Sequence, residues 1–460
     1  MAFGNDTTQR GRRERSASVL RRLVLLAIPT FGQLVAEPAF VLVDTAIVGH
    51  VGTSALAGLS LGSTVVLTAV GLCIFLAYAT TSQVSRLFGA GHRREGLQAA
   101  MDSLWLALLV GVALAAVIFA CAEPLCFALG GRGEVLAQAV VYTRMVVLGV
   151  PGMLLVYASN GLFRGLQKVR ITLVVAVAGA VLNTVLDLVL VVGLGWGVGG
   201  SGFATFIAQW FMAACLLTPA LRWMCEDGVG LKPRASGLRA ASGDGLPLFL
   251  RTLALRAALV ATVMAAASLG EEALAAYQVV NAGWNFVLNI LDSIAIAAQA
   301  LVGAAIGAGA RDSARAITRL AARAGLGAGV ALGALFALAG FVAAPLFSPS
   351  AAVQHLASVG MVAAGAGLPL EGWMWALDGI LIGAGDFRYL AKACALVSAA
   401  YLLALGPLTW LVLPVAGGAA GTALLWVGLG AVLMGGRALA NGLRVRGDRW
   451  MAQMSRRALK

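Results

Sequence analysis

Charge is what this 460-residue chain lacks. Only 12% of its residues are Asp, Glu, Lys or Arg, about half the share of a soluble globular protein. A water-soluble globule of this size would not have the polar surface to cover itself. Histidine is almost absent: His50, His92 and His355 occur singly, which argues against a histidine-built metal site. The six cysteines (Cys73, Cys121, Cys126, Cys215, Cys225, Cys394) form no CxxC or Cys/His ligand pattern. Most sit in apolar runs and read as small buried hydrophobes. No HExxH, Ser/His set or cluster of His and Asp falls within the long apolar segments, so a membrane-embedded enzyme has no residues to carry its chemistry.

What is present is apolar. Hydrophobic residues make up 60% of the chain and glycines add 58 more; mean hydropathy is +0.91. That excludes disorder and points to an integral membrane protein. Twelve stretches reach the roughly 20 apolar residues a bilayer span needs. They lie near 19–48, 54–86, 97–121, 134–163, 170–194, 200–223, 246–269, 273–306, 316–344, 351–382, 389–413 and 417–441. The arginine-rich start followed by an apolar run is similar to a signal peptide. The run is too long and contains Glu37 and Asp44, so it is expected to be an uncleaved first span. The net charge of +13 does not mark a nucleic-acid surface, because the basic residues fall in clusters between spans. The N-terminal arginines, Arg86/Arg93/Arg94, Arg164/Lys168/Arg170, Arg222/Lys232/Arg234/Arg239, Arg311/Arg315/Arg319, Arg388/Lys392 and the C-terminal tail all belong to one side. The opposite loops hold Glu123, Glu134, Glu271 and Glu272 and almost no cation but Arg132. By the positive-inside rule both termini are expected in the cytoplasm, in the inner or plasma membrane.

The chain also repeats itself. Pro29 and Pro247, Ala55-Leu56-Ala57 and Ala273-Leu274-Ala275, Gly89-Ala90-Gly91 and Gly307-Ala308-Gly309, and Pro151 and Pro369 all share one offset, 247 − 29 = 218. The expected fold is therefore all-α, with twelve transmembrane helices in two pseudo-symmetric six-helix lobes. Because each half has an even number of spans, the repeat is parallel, about an axis normal to the membrane. The boundaries read as a tail at 1–18, an N-lobe at 19–230, a cytoplasmic linker at 231–243, a C-lobe at 244–443 and a basic tail at 444–460. A duplicated bundle with a central cleft is the architecture of a secondary transporter.

Ionised groups at membrane depth are costly and survive where a cavity or partner receives them. In span 1, Gln33, Glu37 and Asp44 fall on one helical face, with Pro29 one turn earlier to bend the helix beside it. Asn183 and Asp187 in span 5, and Thr205 and Gln209 in span 6, are i, i+4 pairs. Span 8 carries a stripe of Asn281, Asn285, Asn289 and Asp292; span 10 carries Glu371 and Asp378 at i, i+7. Each polar group also has a plainer use: Asn and Thr as helix–helix glue, Glu37 on a buried donor, Arg251 snorkelling to the inner interface. Asp44 and Asp187 are carboxylates well inside apolar segments and are expected to face one solvated cavity. Arg256, about 12 residues or 18 Å along the helix from Asp244, is too deep to snorkel and is expected to meet Asp378 or Asp292.

The segment Val43-Asp44-Thr45-Ala46-Ile47-Val48-Gly49-His50-Val51-Gly52 resembles the end of the first span in MATE (multidrug and toxic compound extrusion) transporters, nearest to their DinF branch. Similar matches run through Gly161-Leu162-Phe163-Arg164-Gly165, Asn183 to Asp187, Gly195-Trp196-Gly197-Val198-Gly199-Gly200, Arg251-Thr252-Leu253-Ala254-Leu255-Arg256, Ala298-Gln299-Ala300-Leu301-Val302-Gly303 and Asp378-Gly379-Ile380-Leu381-Ile382-Gly383. The resemblance implies an antiporter, not an enzyme. It would export organic, cationic or amphipathic compounds by alternating access, driven by H⁺ or Na⁺, with no cofactor, as a monomer in the bilayer. It implies an N-lobe site around Asp44, with Asn160, Asn183, Asp187 and Thr205 as companions and Pro29 as the bending point. The position a turn before Asn160, often Asn in relatives, is Tyr157 here. Asp44, Asp187, Asn183 and Thr205 offer hard oxygen ligands if the ion is Na⁺, and a carboxylate pair able to hold a proton if it is H⁺. A lipid or lipid-linked glycan flippase of the wider superfamily is the competing class. It would need a strongly cationic cavity, at which only Arg251, Arg256 and Arg144 hint.

Overall fold

The protein was analysed as a computed structural model that describes residues 4–342 and 348–451, without the side chains of residues 4–16, Glu37 and Phe40. Among the described residues every regular element is helical. Ten helices are long and apolar enough to cross a membrane, and the pair Gly133–Val147 and Val150–Gly165, bent by 47°, makes a further broken span. The last of the ten, Phe387–Arg446, runs 60 residues, far more than the roughly 20 a bilayer takes. Its backbone leaves the helical region at Gly417 (φ 75°, ψ 174°), so it reads as two spans and the number becomes twelve. Residues 235–243, read from sequence as linker, already belong to the helix Ala235–Ser268.

The described chain divides into two compact units. One comprises Pro29–Phe249; the other comprises Met1–Ile28 with Leu250–Lys460. The duplication is written into their helix boundaries. Thr53, Arg93, Gly133 and Val169 open helices of the first half; Glu271, Arg311, Ala351 and Phe387 open those of the second. Each pair is separated by the same interval (271 − 53 = 311 − 93 = 351 − 133 = 387 − 169 = 218). Both units also end a helix in a wide π-helical stretch, Leu188–Gly193 and Leu408–Val412.

Packing repeats too. A Cβ on Gly111 would lie 2.7 Å from the Pro151 Cα, and a Cβ on Gly329 would lie 2.9 Å from the Pro369 Cα. These glycine–proline pairs are related by the repeat (329 − 111 = 369 − 151 = 218). In lipid, where burial of apolar surface gives no advantage, close backbone approach of this kind is what holds helices together. The halves differ where continuity is concerned. Thr53–Gly89 is interrupted at Cys73–Ile74 and Gly133–Gly165 is bent, whereas their counterparts Glu271–Gly307 and Ala351–Ala384 run through. The first unit is thus the more broken of the two, and it holds the polar site described below.

Gly111→Val and Gly329→Val should each lower the melting temperature of the detergent-solubilised protein. Overpacking against backbone costs roughly 1–3 kcal/mol. A melting curve unchanged by both substitutions would show that the close approaches do not carry the fold.

Candidate functional site

Asp44 lies near the end of the first span, Ala17–Gly49, past two in-helix prolines, Pro29 and Pro38. Each proline removes a backbone hydrogen bond from its turn. Asn183 and Asp187 occupy the last two α-helical turns of Val169–Asp187, and the helix widens into its π-helical stretch at the next residue. Such widened turns re-aim side chains and recur at functional sites.

These three residues form one hydrogen-bonded unit. Asn183 Nδ2 donates to Asp44 Oδ1 at 2.7 Å and to Asp187 Oδ2 at 3.0 Å. A primary amide has two N–H donors, and here each goes to a different carboxylate. Asp44 is 4% exposed, Asn183 2% and Asp187 0%. Both carboxyls therefore lie within hydrogen-bond reach of one amide nitrogen. Among the described residues, Asp187 Oδ1 and Ser201 Oγ are buried without a hydrogen-bond partner. Asp44, Asn183 and Thr205 line a cavity of about 40 Å³ together with Ser63, Tyr142 and Gln209. That is room for a few waters or one partly hydrated ion, since a single water needs about 10–15 Å³. The Thr205 hydroxyl donates to the Ser201 carbonyl at 3.1 Å, which leaves its oxygen lone pairs for the cavity.

Gln33 and Asn160 sit elsewhere. They line a second cavity of about 60 Å³ with Tyr157, Thr172 and Gln209. Met153 and Gln209 belong to both walls. Among the described residues Asn160 Oδ1 is buried with no hydrogen-bond partner, and Gln33 Oε1 accepts from Arg164 Nη2 at 2.9 Å. Arg164, which the sequence pattern assigns to a basic flank, is 4% exposed. The side chain of Glu37 lies outside the described residues. Sequence reasoning missed Ser201 and Tyr142. Ser201 was within reach: Ser201, Thr205 and Gln209 continue one i, i+4 stripe.

The second unit corrects one expectation. Asp378 is held by Arg251 Nη2, by Arg437 Nη2 at 2.7 Å and by Asn441 Nδ2 at 2.8 Å. Arg256 is exposed and makes no ion pair among the described residues with Asp378 or Asp292. The reason is rotational. Five residues at about 100° each carry a side chain about 140° round the helix, so Arg251 and Arg256 cannot face the same acid. Arg251 does not snorkel, and Arg437, seven residues before the basic tail, is 3% exposed. Its signal was the pair Arg437 and Asn441, one turn apart on the last helix. Glu371 accepts from Trp284 Nε1 at 2.9 Å, and Asp292 is half-buried. No group of three or more His, Cys, Asp or Glu suited to a metal occurs among the described residues. An ion at the first site would therefore depend on amide and hydroxyl oxygens beside its carboxylates.

Asp378→Ala strands two buried guanidiniums and should cost about 3–5 kcal/mol. The expected result is loss of folded, monodisperse protein on size-exclusion chromatography. Asp44→Ala, which strands no cation, should leave the elution profile intact. Equal profiles for Asp378→Ala and the wild type would contradict the closed cluster.

Comparison with known proteins agrees with this architecture. The MatE family model matches residues 29–189 and again 247–407, the same offset as the repeat (247 − 29 = 218). The chain is 28% identical over 392 residues to the DNA damage-inducible protein F of Escherichia coli (strain K12), covering 84% of this chain and 85% of that one. It is 29% identical over 423 residues to protein DETOXIFICATION 44, chloroplastic, of Arabidopsis thaliana, covering 88% and 78%. It is 28% identical over 360 residues to the multidrug resistance protein PmpM of Pseudomonas aeruginosa, covering 75% and 74%. Among solved structures it is similar to the Vibrio cholerae MATE transporter VcmN in the bent form, with a TM-score of 0.84 at 20% identity, covering 95% of this chain and 99% of that one. The duplicated helical frame and the two matched halves together place the chain in the MATE family of multi-pass secondary transporters.

Proposed function

We propose that this transporter is an antiporter that exports organic, cationic or amphipathic compounds, with H⁺ or Na⁺ moving inward through the site at Asp44 and Asp187. The observation that supports this reading best is the Asn183 amide bridging two buried carboxylates beside a cavity. Two carboxylates this close at membrane depth cannot both stay charged without a compensating cation. A proton, a sodium ion or the positive end of a substrate each supplies that charge, and only one can do so at a time. Competition for one charge deficit is the simplest form of antiport. The adjoining cavity around Gln33 and Asn160, walled in common by Met153 and Gln209, gives an organic substrate amide groups and apolar surface next to the ion. On this reading both termini are cytoplasmic, the lobes span 19–230 and 244–443, and one chain suffices.

A flippase for anionic lipids or lipid-linked glycans would need unbalanced cations facing a cavity. Arg251 and Arg437 share the one carboxylate of Asp378, which leaves one positive charge in excess, but neither lines the cavities at Asp44 or Asn160, and the cavity around Asp44 is lined by acid and amide. The efflux reading is therefore preferred.

The test is export of a fluorescent organic cation from proteoliposomes, with proton and sodium gradients imposed separately. Asp44→Asn should reduce gradient-driven export at least about tenfold, the kinetic equivalent of losing about 1.4 kcal/mol of coupling. Insertion should be unharmed, because removing a charge lowers its cost. Asp187→Asn should do nearly the same. Export at the wild-type rate by Asp44→Asn would reject the assignment.

A further inference from the structure

The offset of 218 carries each residue of the Asp44 site to a definite position in the second unit. Asp44 maps to Thr262, Asn183 to Tyr401 and Asp187 to Leu405 (262 − 44 = 401 − 183 = 405 − 187 = 218). The hydrogen bond survives the change of residues. Thr262 Oγ1 and the Tyr401 hydroxyl lie 2.7 Å apart, the same separation as Asn183 Nδ2 and Asp44 Oδ1. Thr262 also donates to the Ala258 carbonyl at 2.9 Å, so Tyr401 is the donor of the pair. Both carboxylates are gone, replaced by a hydroxyl and a buried leucine.

The space is gone as well. Val66 and Ala208, which line the first unit's cavity, map to Trp284 and Trp426 (284 − 66 = 426 − 208 = 218). Both indoles are fully buried, with ring centroids 5.8 Å apart. Tyr277 stacks on Trp426 at 5.1 Å. Trp284, Trp426 and Tyr401 thus stand, all buried, at the positions of Val66, Ala208 and Asn183, which line the cavity of the other half.

We propose that the second unit carries a silenced copy of the cation site at Thr262, Tyr401 and Leu405, and that the neutral link left there fixes spans 7 and 11 whatever ion is present. Coupling is then a one-sided event: the cation works on span 1 through Asp44, while span 7 is held by a bond with no charge to gain or lose. This deepens the proposed function and rests on the reading of Asp44 and Asp187 as the coupling site. The other ionisable groups of the second unit's interior do not alter the link. Arg251 and Arg437 are drawn to Asp378, and Glu371 takes the Trp284 indole on spans 8 and 10.

Hydrogen exchange of the full-length protein in nanodiscs, at pH 6 and 8 and with Na⁺ added alone, reads the two arms separately. The segment 38–50 should respond to whichever cation couples, with exchange slowed about tenfold at about ten times its Kd. The repeat-equivalent segment 256–268 should not respond. Tyr401→Phe should raise exchange in 256–268 equally under every ionic condition and leave the response of 38–50 intact. An equal cation response of both segments in the wild type overturns the asymmetry while leaving Asp44 and Asp187 as the coupling site. Silence in both overturns the coupling role itself, and with it this inference. A Tyr401→Phe protein whose 256–268 exchange is unchanged shows that the hydroxyl link does not hold the span.

Discussion

One amide holds two carboxylates where neither can be solvated freely. Asn183 gives one N–H to Asp44 and the other to Asp187, and so uses its whole donor capacity on a pair of groups that repel. The amide can orient them but cannot neutralise them, since it has no charge to give. That shortfall is the constraint on which the rest of the unit turns. The cavity beside Asp44, the break at Cys73–Ile74 and the bend between Val147 and Val150 all fall in the half that contains the pair. In the other half the buried acid Asp378 meets two arginines, and the helices that match those two run through.

The duplication makes this contrast legible. Both halves begin their helices at the same interval and pack through the same glycine–proline contacts, so the frame is shared and the differences lie in side chains. Val66, Ala208 and Asn183 leave room for water and ion; Trp284, Trp426 and Tyr401 close it. Of two repeat-equivalent positions, one is open and charged and the other holds aromatic rings that pack as a core does.

Much of this could be read from the sequence. The scarcity of charge, the spacing of apolar runs and the offset of 218 gave the membrane class, the twelve spans and the two halves. The i, i+4 spacing of Asn183 and Asp187 placed them on one face, and the depth of Asp44 marked it as needing a partner. What stayed hidden was rotational phase and burial near the helix ends. Arg251 and Arg256 are both basic and both near the start of span 7, and depth alone favoured the wrong one. Arg164 and Arg437 looked like flanking charges because both lie within a turn or two of other arginines, yet both are buried. The separation of Gln33 and Asn160 from Asp44 into a second cavity depends on the angle at which broken helices meet, which no periodicity encodes. Applying the repeat to side chains would have helped: Gln33 and Asn160 map to Arg251 and Asp378 (251 − 33 = 378 − 160 = 218), the pair that depth counting missed.

Ion release on substrate binding tests the central claim most directly. Detergent-solubilised protein in weakly buffered solution, with a pH indicator or a sodium-selective electrode, would be titrated with an organic cation at saturating coupling ion. About one proton or one sodium ion should leave per chain as substrate binds, because both answer the same charge deficit, and Asp44→Asn should release none. Substrate binding with no ion released, or equal release from Asp44→Asn, would contradict the shared site.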